Sequence, residues 1–337
     1  MQVESTTPDH IFEIGYAFWK SKALLTAIEL ELFTVLGDGA LGLDALVARL
    51  GLAGRGARDF LDTLVSLGLL DRDAAGRYAN AQDSARFLNR RSPSYIGGAL
   101  ERLNAGGYEP WGALTTALRT GRPQNTRLGS GYEHIYSDAT ALRLFLDGMM
   151  GGIILPAKAL ALQFPWSKHR TVADIGAAQG CCLAQVAQAH SHITGCGFDL
   201  PAVGPLFDEY VRTQDLSDRL RFCPGDFFVD PLPQADVLIM GRILHNWDLQ
   251  TKKMLLRKAY AALPSGGSLI VCETLIDDER RHHTHALLQS LNMLVMTESG
   301  FDFTAADCIA WLQDAGFREP CVEPLACNHS MVVSMKQ

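Results

Sequence analysis

The chain has 337 residues, of which 47% are hydrophobic, and its formal net charge is -7 at pH 7. This length allows two domains with a large buried core. The acidic balance argues against a general binder of nucleic acid or of anionic membranes, because both of these partners select basic surfaces.

The eight cysteines are scattered and form no C-x-x-C pair, a pattern typical of small buried side chains in a reducing compartment. The N-terminal segment is polar and lacks the apolar core of a signal peptide, and no apolar run reaches membrane-spanning length. We therefore expect a cytoplasmic protein without a disulfide framework, a zinc site or a membrane segment.

The N-terminal part of the chain predicts a small helical module. An apolar-rich pattern over Ile11–Leu36 predicts one long helix that is buried on more than one side. Two short helices are predicted at Leu43–Leu50 and Gly54–Leu67, followed by a hairpin with strands at Leu69–Asp71 and Arg77–Ala79. Three helices and a hairpin are typical of a winged-helix module.

A winged-helix module raises DNA binding as an alternative function. The helix that would enter the groove, residues 57–64, carries two acidic residues and one arginine, which is a poor face for a phosphate backbone. We interpret the module as an interaction element without nucleic-acid binding. A winged-helix regulator that senses a small ligand is the alternative from another class of proteins.

The stretch Ser92–Pro165 is predicted to be helical, with breaks at Gly106-Gly107 and at residues 121–123. Within it, Phe145 and Met149 are candidates to line an apolar pocket. Helix packing explains the same two residues equally well, because methionine fills gaps in a core as readily as it lines a site.

From Thr171 onward the chain alternates strands and helices, which predicts a doubly wound parallel sheet. The predicted strands of this part are Thr171–Ala177, Ile193–Leu200, Leu220–Asp226, Ala235–Leu244 and Ser268–Ile276. Two further strands, Glu319–Ala326 and His329–Met335, are joined by a short turn. We expect this last pair to be antiparallel, because parallel strands need a long crossover.

The first strand of the sheet leads into V-A-D-I-G-A-A-Q-G at residues 172–180. Small residues between a strand and a helix let a ligand approach the backbone, although they also serve plain strand–helix packing. Asp199 and Asp226 lie at the ends of the next two strands, and the spacing from Gly176 to Asp199 suits hydrogen bonding to a ribose diol. Since no lysine-bearing phosphate loop is present, a nucleoside fits at least as well as a dinucleotide.

Taken together, the motifs resemble the S-adenosylmethionine-dependent O-methyltransferases of the caffeate, hydroxyindole and bacterial polyketide type. The motifs are D-I-G-A-A-Q-G, F-D-L-P, G-D-F-F, G-R-I-L-H-N-W-D, L-P-S-G-G-S-L-I-V-C-E and D-A-G-F. The resemblance implies a Rossmann-like class I methyltransferase sheet, mostly parallel with an antiparallel last strand, and a mainly α-helical winged-helix N-terminal domain. It also implies a homodimer formed through that domain, which helps to close the partner's acceptor pocket.

We divide the chain accordingly into three parts. Residues 1–95 are the predicted dimerisation domain, residues 96–165 a helical linker that contributes to the acceptor pocket, and residues 166–337 the catalytic domain that binds S-adenosylmethionine.

The resemblance implies which residues bind S-adenosylmethionine and its product S-adenosylhomocysteine. The positions that match the family's cofactor site are Gly176, Asp199, Leu200, Asp226, Phe227, Arg242 and Trp247. Among them, Gly176 would approach the methionine part and Asp199 would hold the ribose hydroxyls. Leu200, Asp226 and Phe227 would surround the adenine.

His245 is the candidate general base. It stands at the end of the predicted strand Ala235–Leu244, where α/β sheets bind their ligands. Imidazole can take a proton from an acceptor hydroxyl near neutral pH. The resemblance makes Glu273 the first acidic residue that orients this histidine.

The resemblance places the second orienting acid at Asp302, counted back from the A-G-F motif. Phe301 and Phe303 stand where the family has basic neighbours, and Glu298 is a nearby substitute for Asp302. This departure leaves C- or N-methylation, or a non-methylating cyclisation on the same scaffold, open as alternatives to O-methylation of a small aromatic or polyketide-type secondary metabolite.

Three other features complete the predicted site. Asn292, Met293 and Met296 fall where the family lines its acceptor pocket, although a core-facing helix would explain them too. Ala177 and Ala178 replace the usual glycines, which is compatible with cofactor binding if both avoid positive φ. The histidines at 282, 283 and 285 follow a charged, solvated loop pattern, so we predict no metal.

Overall fold

The computed structural model describes residues 6–125 and 133–337, and the chain separates into two compact units, Met1–Ala105 and Gly106–Gln337. The predicted helical stretch Ser92–Pro165 lies partly outside the described residues, as does the start of the polar N-terminus. Our three-part division at residues 95 and 165 stays a prediction.

The first unit is mainly helical. Its helices are α1 (Asp9–Glu29), α2 (Leu32–Val35), α3 (Leu43–Leu50), α4 (Ala57–Ser66), α5 (Gln82–Phe87) and α6 (Gly97–Arg102), and a short π-helical stretch, Leu103–Gly107, runs out of it. The predicted single helix Ile11–Leu36 is wrong, because the chain turns at Glu31, which has a φ of 53°. The break lets Ile28, Leu32 and Phe33 all reach one buried cluster.

A two-stranded hairpin follows α4 in the first unit. Strand β1 (Leu70–Arg72) pairs antiparallel with β2 (Tyr78–Asn80), and Leu70 and Tyr78 reach the same buried cluster as α1 and α4. The order of helices and hairpin is that of the predicted winged-helix module, with each hairpin strand starting one residue later than predicted.

The N-terminal half of α1 exposes a continuous series of large apolar side chains. Those more than 45% exposed are Ile11, Phe12, Ile14, Tyr16, Phe18 and Trp19. Tyr16 stacks between Phe12 and Trp19, with ring centroids 5.9 and 4.6 Å apart. A patch of this kind marks an interaction surface, since single chains rarely leave so many aromatic side chains in water.

The second unit surrounds a sheet with helices. The helices are α7 (Tyr108–Trp111), α8 (Leu114–Thr120), α9 (Glu133–Ser137), α10 (Ala139–Gln163), α11 (Cys181–Ala189), α12 (Gly204–Thr213), α13 (Leu249–Ala262), α14 (Thr284–Met296) and α15 (Ala305–Asp314). Leu255 and Leu256 of α13 cover one face of the sheet. Leu183 of α11 and Phe207 of α12 cover the other, so the unit has three layers.

Helix α10 corrects one expectation. It is long and apolar enough to span a membrane by length and composition, whereas the sequence suggested that no run reaches that length. Its Leu160 and Ala161 lie in the buried cluster that also holds Leu183. Its Asp147 accepts a hydrogen bond from Gln179, so this helix packs within the second unit.

The sheet of the second unit has seven strands. They are β3 (Thr171–Ile175), β4 (Thr194–Asp199), β5 (Leu220–Pro224), β6 (Val237–Gly241), β7 (Ser268–Glu273), β8 (Arg318–Pro324) and β9 (Ser330–Met335), in the order β5-β4-β3-β6-β7-β9-β8. The first five are parallel, whereas β9 runs antiparallel to both β7 and β8. The predicted fold class is thereby confirmed.

The order of the strands places a ligand site. The chain moves outward from β3 to β5 and then returns to β6 on the other side of β3. In such sheets, ligands bind beyond the carboxyl ends of the strands at the point where the order reverses. That point lies between the turn after β3 and the segment after β6.

The cysteines divide into buried and exposed thiols. Cys181, Cys196, Cys272 and Cys308 are buried, as predicted for small apolar side chains, whereas Cys182 and Cys223 are half-buried and Cys321 and Cys327 are exposed.

Candidate active site

The turn between β3 and α11 is shaped by two glycines. Gly176 has a φ of 72° and Gly180 a φ of 84°, conformations that favour glycine. A Cβ on Gly176 would collide with Ile243, and one on Gly180 with Phe207. Backbone conformation and packing together therefore explain both glycines, and the turn is not by itself proof of a ligand.

Asp199, at the end of β4, fixes this turn from the side. Its Oδ2 accepts the N–H of Ala178 at 2.8 Å and its Oδ1 accepts the N–H of Leu200 at 2.7 Å. Each oxygen keeps a free lone pair, which fits the two hydroxyls of a ribose. Burial raises the pKa of Asp199 to about 6, and the backbone N–H groups of Ala178 and Leu200 oppose that rise.

Ala178 differs from expectation. Its φ is 49°, so the premise that both alanines avoid positive φ is wrong for this one. The left-handed conformation costs about 1–2 kcal/mol for a residue with a Cβ. The hydrogen bond to the buried Asp199 carboxylate is large enough to offset that cost, since bonds to charged groups contribute about 1.5–3 kcal/mol.

A second buried acid lies beside Asp199. Asp174, on β3, is 4% exposed, and burial together with the charge of Asp199 raises its pKa to about 7. Asp174 lies inside the D-I-G-A-A-Q-G motif, but no role was predicted for it.

Aromatic side chains gather beyond β5 and β6. The ring of Trp247 lies 5.9 Å from that of Phe227 and 4.8 Å from that of Phe228. The N–H of Phe228 binds Asp226, which orders the turn after β5. Two predicted adenine-binding residues, Asp226 and Phe227, thus share one strand end with Trp247 close by.

His245 lies in a short 3-10 turn, Leu244–Asn246, not at the end of a strand. Strand β6 stops at Gly241, because Arg242 has a φ of 57° and turns the chain while its N–H binds the carbonyl oxygen of Cys272. The predicted strand Ala235–Leu244 was therefore too long at its carboxyl end.

Two buried carboxylates face one nitrogen of His245. Its Nδ1 lies 3.4 Å from Asp302 and 3.7 Å from Glu273, and its backbone N–H binds Glu273 Oε1 at 3.3 Å. All three residues are at most 3% exposed. Burial is the largest cause that raises the pKa of Glu273; the charge of Asp302 adds to it and that of His245 opposes it.

The alternative acid Glu298 is exposed just after α14, and it is not among the groups paired with His245 in the described part of the chain. The side chains of His245, Glu273 and Asp302 bring their ligand atoms within 4.8 Å of one another, a spacing that a metal ion could also use. The approach of both carboxylates to the same imidazole nitrogen suits a base that is held in one orientation.

Gly300 sets the approach of the Asp302 segment to the His245 turn. A Cβ at position 300 would lie 2.6 Å from the carbonyl oxygen of His245 and 2.9 Å from the backbone of Asn246. Real side chains do not approach backbone so closely, so this position accepts only glycine without a shift.

Lys252, on α13, is a residue that sequence analysis missed. Its side chain is fully buried, and its Nζ lies 3.3 Å from the ring centroid of Phe301. A signal existed in the sequence, since positions 252, 255, 256 and 259 form one helix face and the other three are apolar.

His329, just before β9, was also missed. It is 6% exposed, its Nδ1 lies 2.9 Å from the carbonyl oxygen of Cys327, and its Nε2 has no hydrogen-bond partner in residues 6–125 and 133–337. Burial and the charge of Arg242 lower its pKa to about 4. A histidine in a turn between strands carries no pattern that sequence reasoning can use.

The predicted acceptor residues lie on two helices. Phe145 packs against the cluster of Leu142, Leu146 and Leu206, and Met149 is half-buried one turn further along α10. On α14, which packs against the 3-10 turn of His245, the lining candidates are Asn292, Met293 and Met296. Met293 is buried, and Asn292 accepts a hydrogen bond from Trp111 at 2.9 Å.

One carboxylate, that of Asp277, orders the histidine-rich loop before α14. Asp277 accepts the backbone N–H groups of Arg281, His282 and His283. These N–H groups hold the pKa of Asp277 well below its usual range, and the N–H of His283 has the largest effect. The loop thus has a structural explanation.

Comparison with known proteins decides the family. Residues 111–318 match an O-methyltransferase domain family and residues 12–90 an O-methyltransferase dimerisation domain family. This chain belongs to the S-adenosylmethionine-dependent O-methyltransferases. The predicted family and enzyme class are thereby confirmed. Similar structures that contain S-adenosylmethionine or S-adenosylhomocysteine confirm the predicted cofactor, whereas the roles of single residues remain predictions.

Three relatives illustrate the range of this methyltransferase family. The tetracenomycin polyketide synthesis 8-O-methyl transferase TcmO of Streptomyces glaucescens is 41% identical over 93% of this chain and 92% of its own. The N,N-dimethyltransferase OxyT of Streptomyces rimosus is 35% identical over 91% and 90%. The crystal structure of human N-acetylserotonin methyltransferase with S-adenosylmethionine has a TM-score of 0.91 at 27% identity and covers 100% of this chain and 99% of that one.

Proposed function

We propose that this methyltransferase transfers a methyl group to a hydroxyl of a small aromatic, polyketide-type acceptor, with His245 as the general base. The single observation that carries the proposal is the approach of both buried carboxylates to His245 Nδ1, at 3.4 and 3.7 Å. A proton on Nδ1 then faces the carboxylates, so Nε2 is the nitrogen that would take the hydroxyl proton.

The residues divide the work of the reaction between them. Asp302 and Glu273 would hold the imidazole in one tautomer and stabilise the imidazolium that forms when the proton arrives. Asp199 would bind the ribose hydroxyls of S-adenosylmethionine, with Leu200, Asp226 and Phe227 around its adenine. The remaining predicted cofactor contacts are those of Gly176, Arg242 and Trp247. When bound, S-adenosylmethionine supplies a sulfonium methyl group that the deprotonated acceptor oxygen can attack.

An aromatic acceptor is supported by the relative that acts in tetracenomycin polyketide synthesis. Half-buried apolar side chains on α10 and α14, Met149 and Met296 among them, suit a flat ring system. The N,N-dimethyltransferase OxyT keeps N-methylation as the second candidate, because it is 35% identical over 91% of this chain.

The proposal is tested by incubating the purified protein with S-adenosylmethionine and paired acceptors. Each pair has one polycyclic phenol and the amine of the same ring system, and methylated products are identified by mass spectrometry. We expect the phenols to be methylated and the reaction to proceed in EDTA, since the base needs no metal. Preference for the amines would establish the second candidate, and a requirement for a divalent metal would refute the assignment of His245 as base.

We further propose that the exposed face of α1 forms a homodimer, in line with the dimerisation domain match. Trp19→Lys is expected to convert the dimer to a monomer in sedimentation velocity, because a charge without a partner would enter the apolar interface. Leu118→Lys is the matched control, since Leu118 is 60% exposed on α8 and Trp19 59% on α1. A Trp19→Lys protein that stays dimeric would exclude this face as the interface.

The cytoplasmic location stays a prediction.

A further inference from the structure

Lys252 is a charged residue at a position that normally holds an apolar one. It belongs to the buried face of α13 with Leu255, Leu256 and Ala259, and its side chain has no exposed surface. Lysine is almost never fully buried without a partner, because its ammonium group loses hydration. The position therefore calls for a specific partner.

The ammonium group of Lys252 faces the segment that carries Asp302. Its Nζ lies 3.3 Å from the ring centroid of Phe301 and 5.7 Å from that of Phe303, the two neighbours of Asp302. It also donates a hydrogen bond to the carbonyl oxygen of Trp247, two residues after His245. Lys252 thus contacts both the segment that carries Asp302 and the segment that follows His245.

The site has an excess of buried negative charge. Three of the four carboxylate oxygens of Glu273 and Asp302 have no hydrogen-bond partner within the described residues. Two carboxylates this close and this buried resist ionising together, so one would hold a proton unless a cation lies near.

The groups that face this pair come from several elements. His245 from the 3-10 turn and Arg242 after β6 face Glu273, and both of their charges lower its pKa. The charge of Lys252 on α13 interacts with both carboxylates and with Asp248 at the start of α13. The buried thiols of Cys272 and Cys308 lie beside Glu273, and His329 lies beside His245. Burial lowers the pKa of Lys252 to about 8, while the charges of Glu273, Asp302 and Asp248 oppose that fall. The two ring faces and the carbonyl oxygen of Trp247 around Nζ are the surroundings that suit a protonated ammonium group.

We propose that Lys252 is the counter-ion of the Glu273–Asp302 pair and, through it, a positioning residue for His245. The proposal rests on the proposed function, because it assumes that both carboxylates act while ionised. It also accounts for Phe301 and Phe303. The family resemblance implies basic residues on both sides of this acid; in this chain the cation comes from α13 instead and lies against the two aromatic rings.

The test is the pH profile of kcat/KM for Lys252→Met, which keeps the length of the side chain and removes its charge. Loss of the cation raises the proton affinity of the buried Glu273 carboxylate, so the acid limb is expected to move up by about one pH unit. On that limb, kcat/KM would fall about tenfold below wild type, and it would recover at high pH, where the carboxylates ionise unaided.

Two further variants separate charge from packing. Lys252→Arg keeps the charge and is expected to keep the wild-type acid limb. Lys253→Met removes the neighbouring surface charge that pairs with Asp314 at 2.9 Å, and it is expected to leave the profile unchanged. A Lys252→Met profile that is lowered equally at every pH would overturn the proposal, because it would indicate a packing role only.

A readout without turnover distinguishes failure of this proposal from failure of the proposed function. In the complex with S-adenosylhomocysteine, the imidazole signals of His245 are followed by NMR against pH. They are expected to titrate at higher pH in Lys252→Met than in wild type. Unmoved signals would refute the counter-ion role. If those signals do shift in Lys252→Met but the His245→Gln enzyme is still active, base catalysis is refuted and the counter-ion role of Lys252 stands.

Discussion

Replacing His245 with glutamine is expected to lower kcat about 10²–10⁴-fold, the usual contribution of a positioned general base. Glutamine keeps a polar side chain of similar reach but cannot accept a proton near neutral pH. The buried carboxylates at 3.4 and 3.7 Å from Nδ1 are the reason for expecting a large effect, since in the proposed mechanism they would stabilise the imidazolium formed during transfer. Methyl transfer is followed by single-turnover mass spectrometry with the preferred acceptor.

The affinity for S-adenosylhomocysteine, measured by calorimetry, should not change in the same variant, which separates chemistry from cofactor binding. His282→Gln serves as the matched control, because His282 is exposed in the loop organised by Asp277. If His245→Gln turns over within a few-fold of wild type, the acceptor ionises without help from the protein and proximity alone drives the reaction.

Replacing Asp199 with asparagine is expected to weaken the binding of S-adenosylhomocysteine by about 10²-fold or more. A hydrogen bond to a charged group contributes about 1.5–3 kcal/mol, and a ribose diol offers two of them. Asparagine keeps one acceptor oxygen for the turn, so the hydrogen bond from Ala178 or from Leu200 survives. Calorimetry measures the loss, and Asp208→Asn on the exposed side of α12 is the control.

The same residue predicts a pH dependence. Because burial raises the pKa of Asp199 to about 6, its ionised form prevails above that pH and is lost as the pH falls through it. Ligand affinity should therefore be constant above pH 7 and decline below pH 6. Asp174, whose pKa is raised to about 7, is a second acid that titrates beside Asp199. In Asp199→Asn the decline should be absent. A wild-type affinity that is independent of pH would mean that Asp199 does not contact the ligand.

Much of the fold could be predicted because alternation of apolar strands and helices is a local signal. Helix α3 was predicted at its observed bounds, Leu43–Leu50, and the antiparallel last pair followed from its short connection. The break of the first helix at Glu31 was missed, since apolar residues on both sides continue the same pattern and only packing decides where the chain turns.

The site was predictable where a motif carries it. His245 and Glu273 follow from their motifs, and Asp302 from counting, while the structure brings all three together. Lys252 and His329 were missed because their surroundings come from distant parts of the chain. The positive φ of Ala178 was missed because its cause, a hydrogen bond to Asp199, crosses 21 residues.

Gly300 gives the site an evolutionary constraint of an unusual kind. It carries no reactive group, yet the absence of its Cβ lets the backbone of the Asp302 segment rest against that of His245. A side chain at position 300 would affect catalysis only by increasing the distance between the Asp302 segment and His245. Among descendants that keep the proposed chemistry, position 300 should therefore tolerate as little change as the histidine itself, while divergence toward new acceptors would proceed through α10 and α14, the helices proposed to line the acceptor pocket.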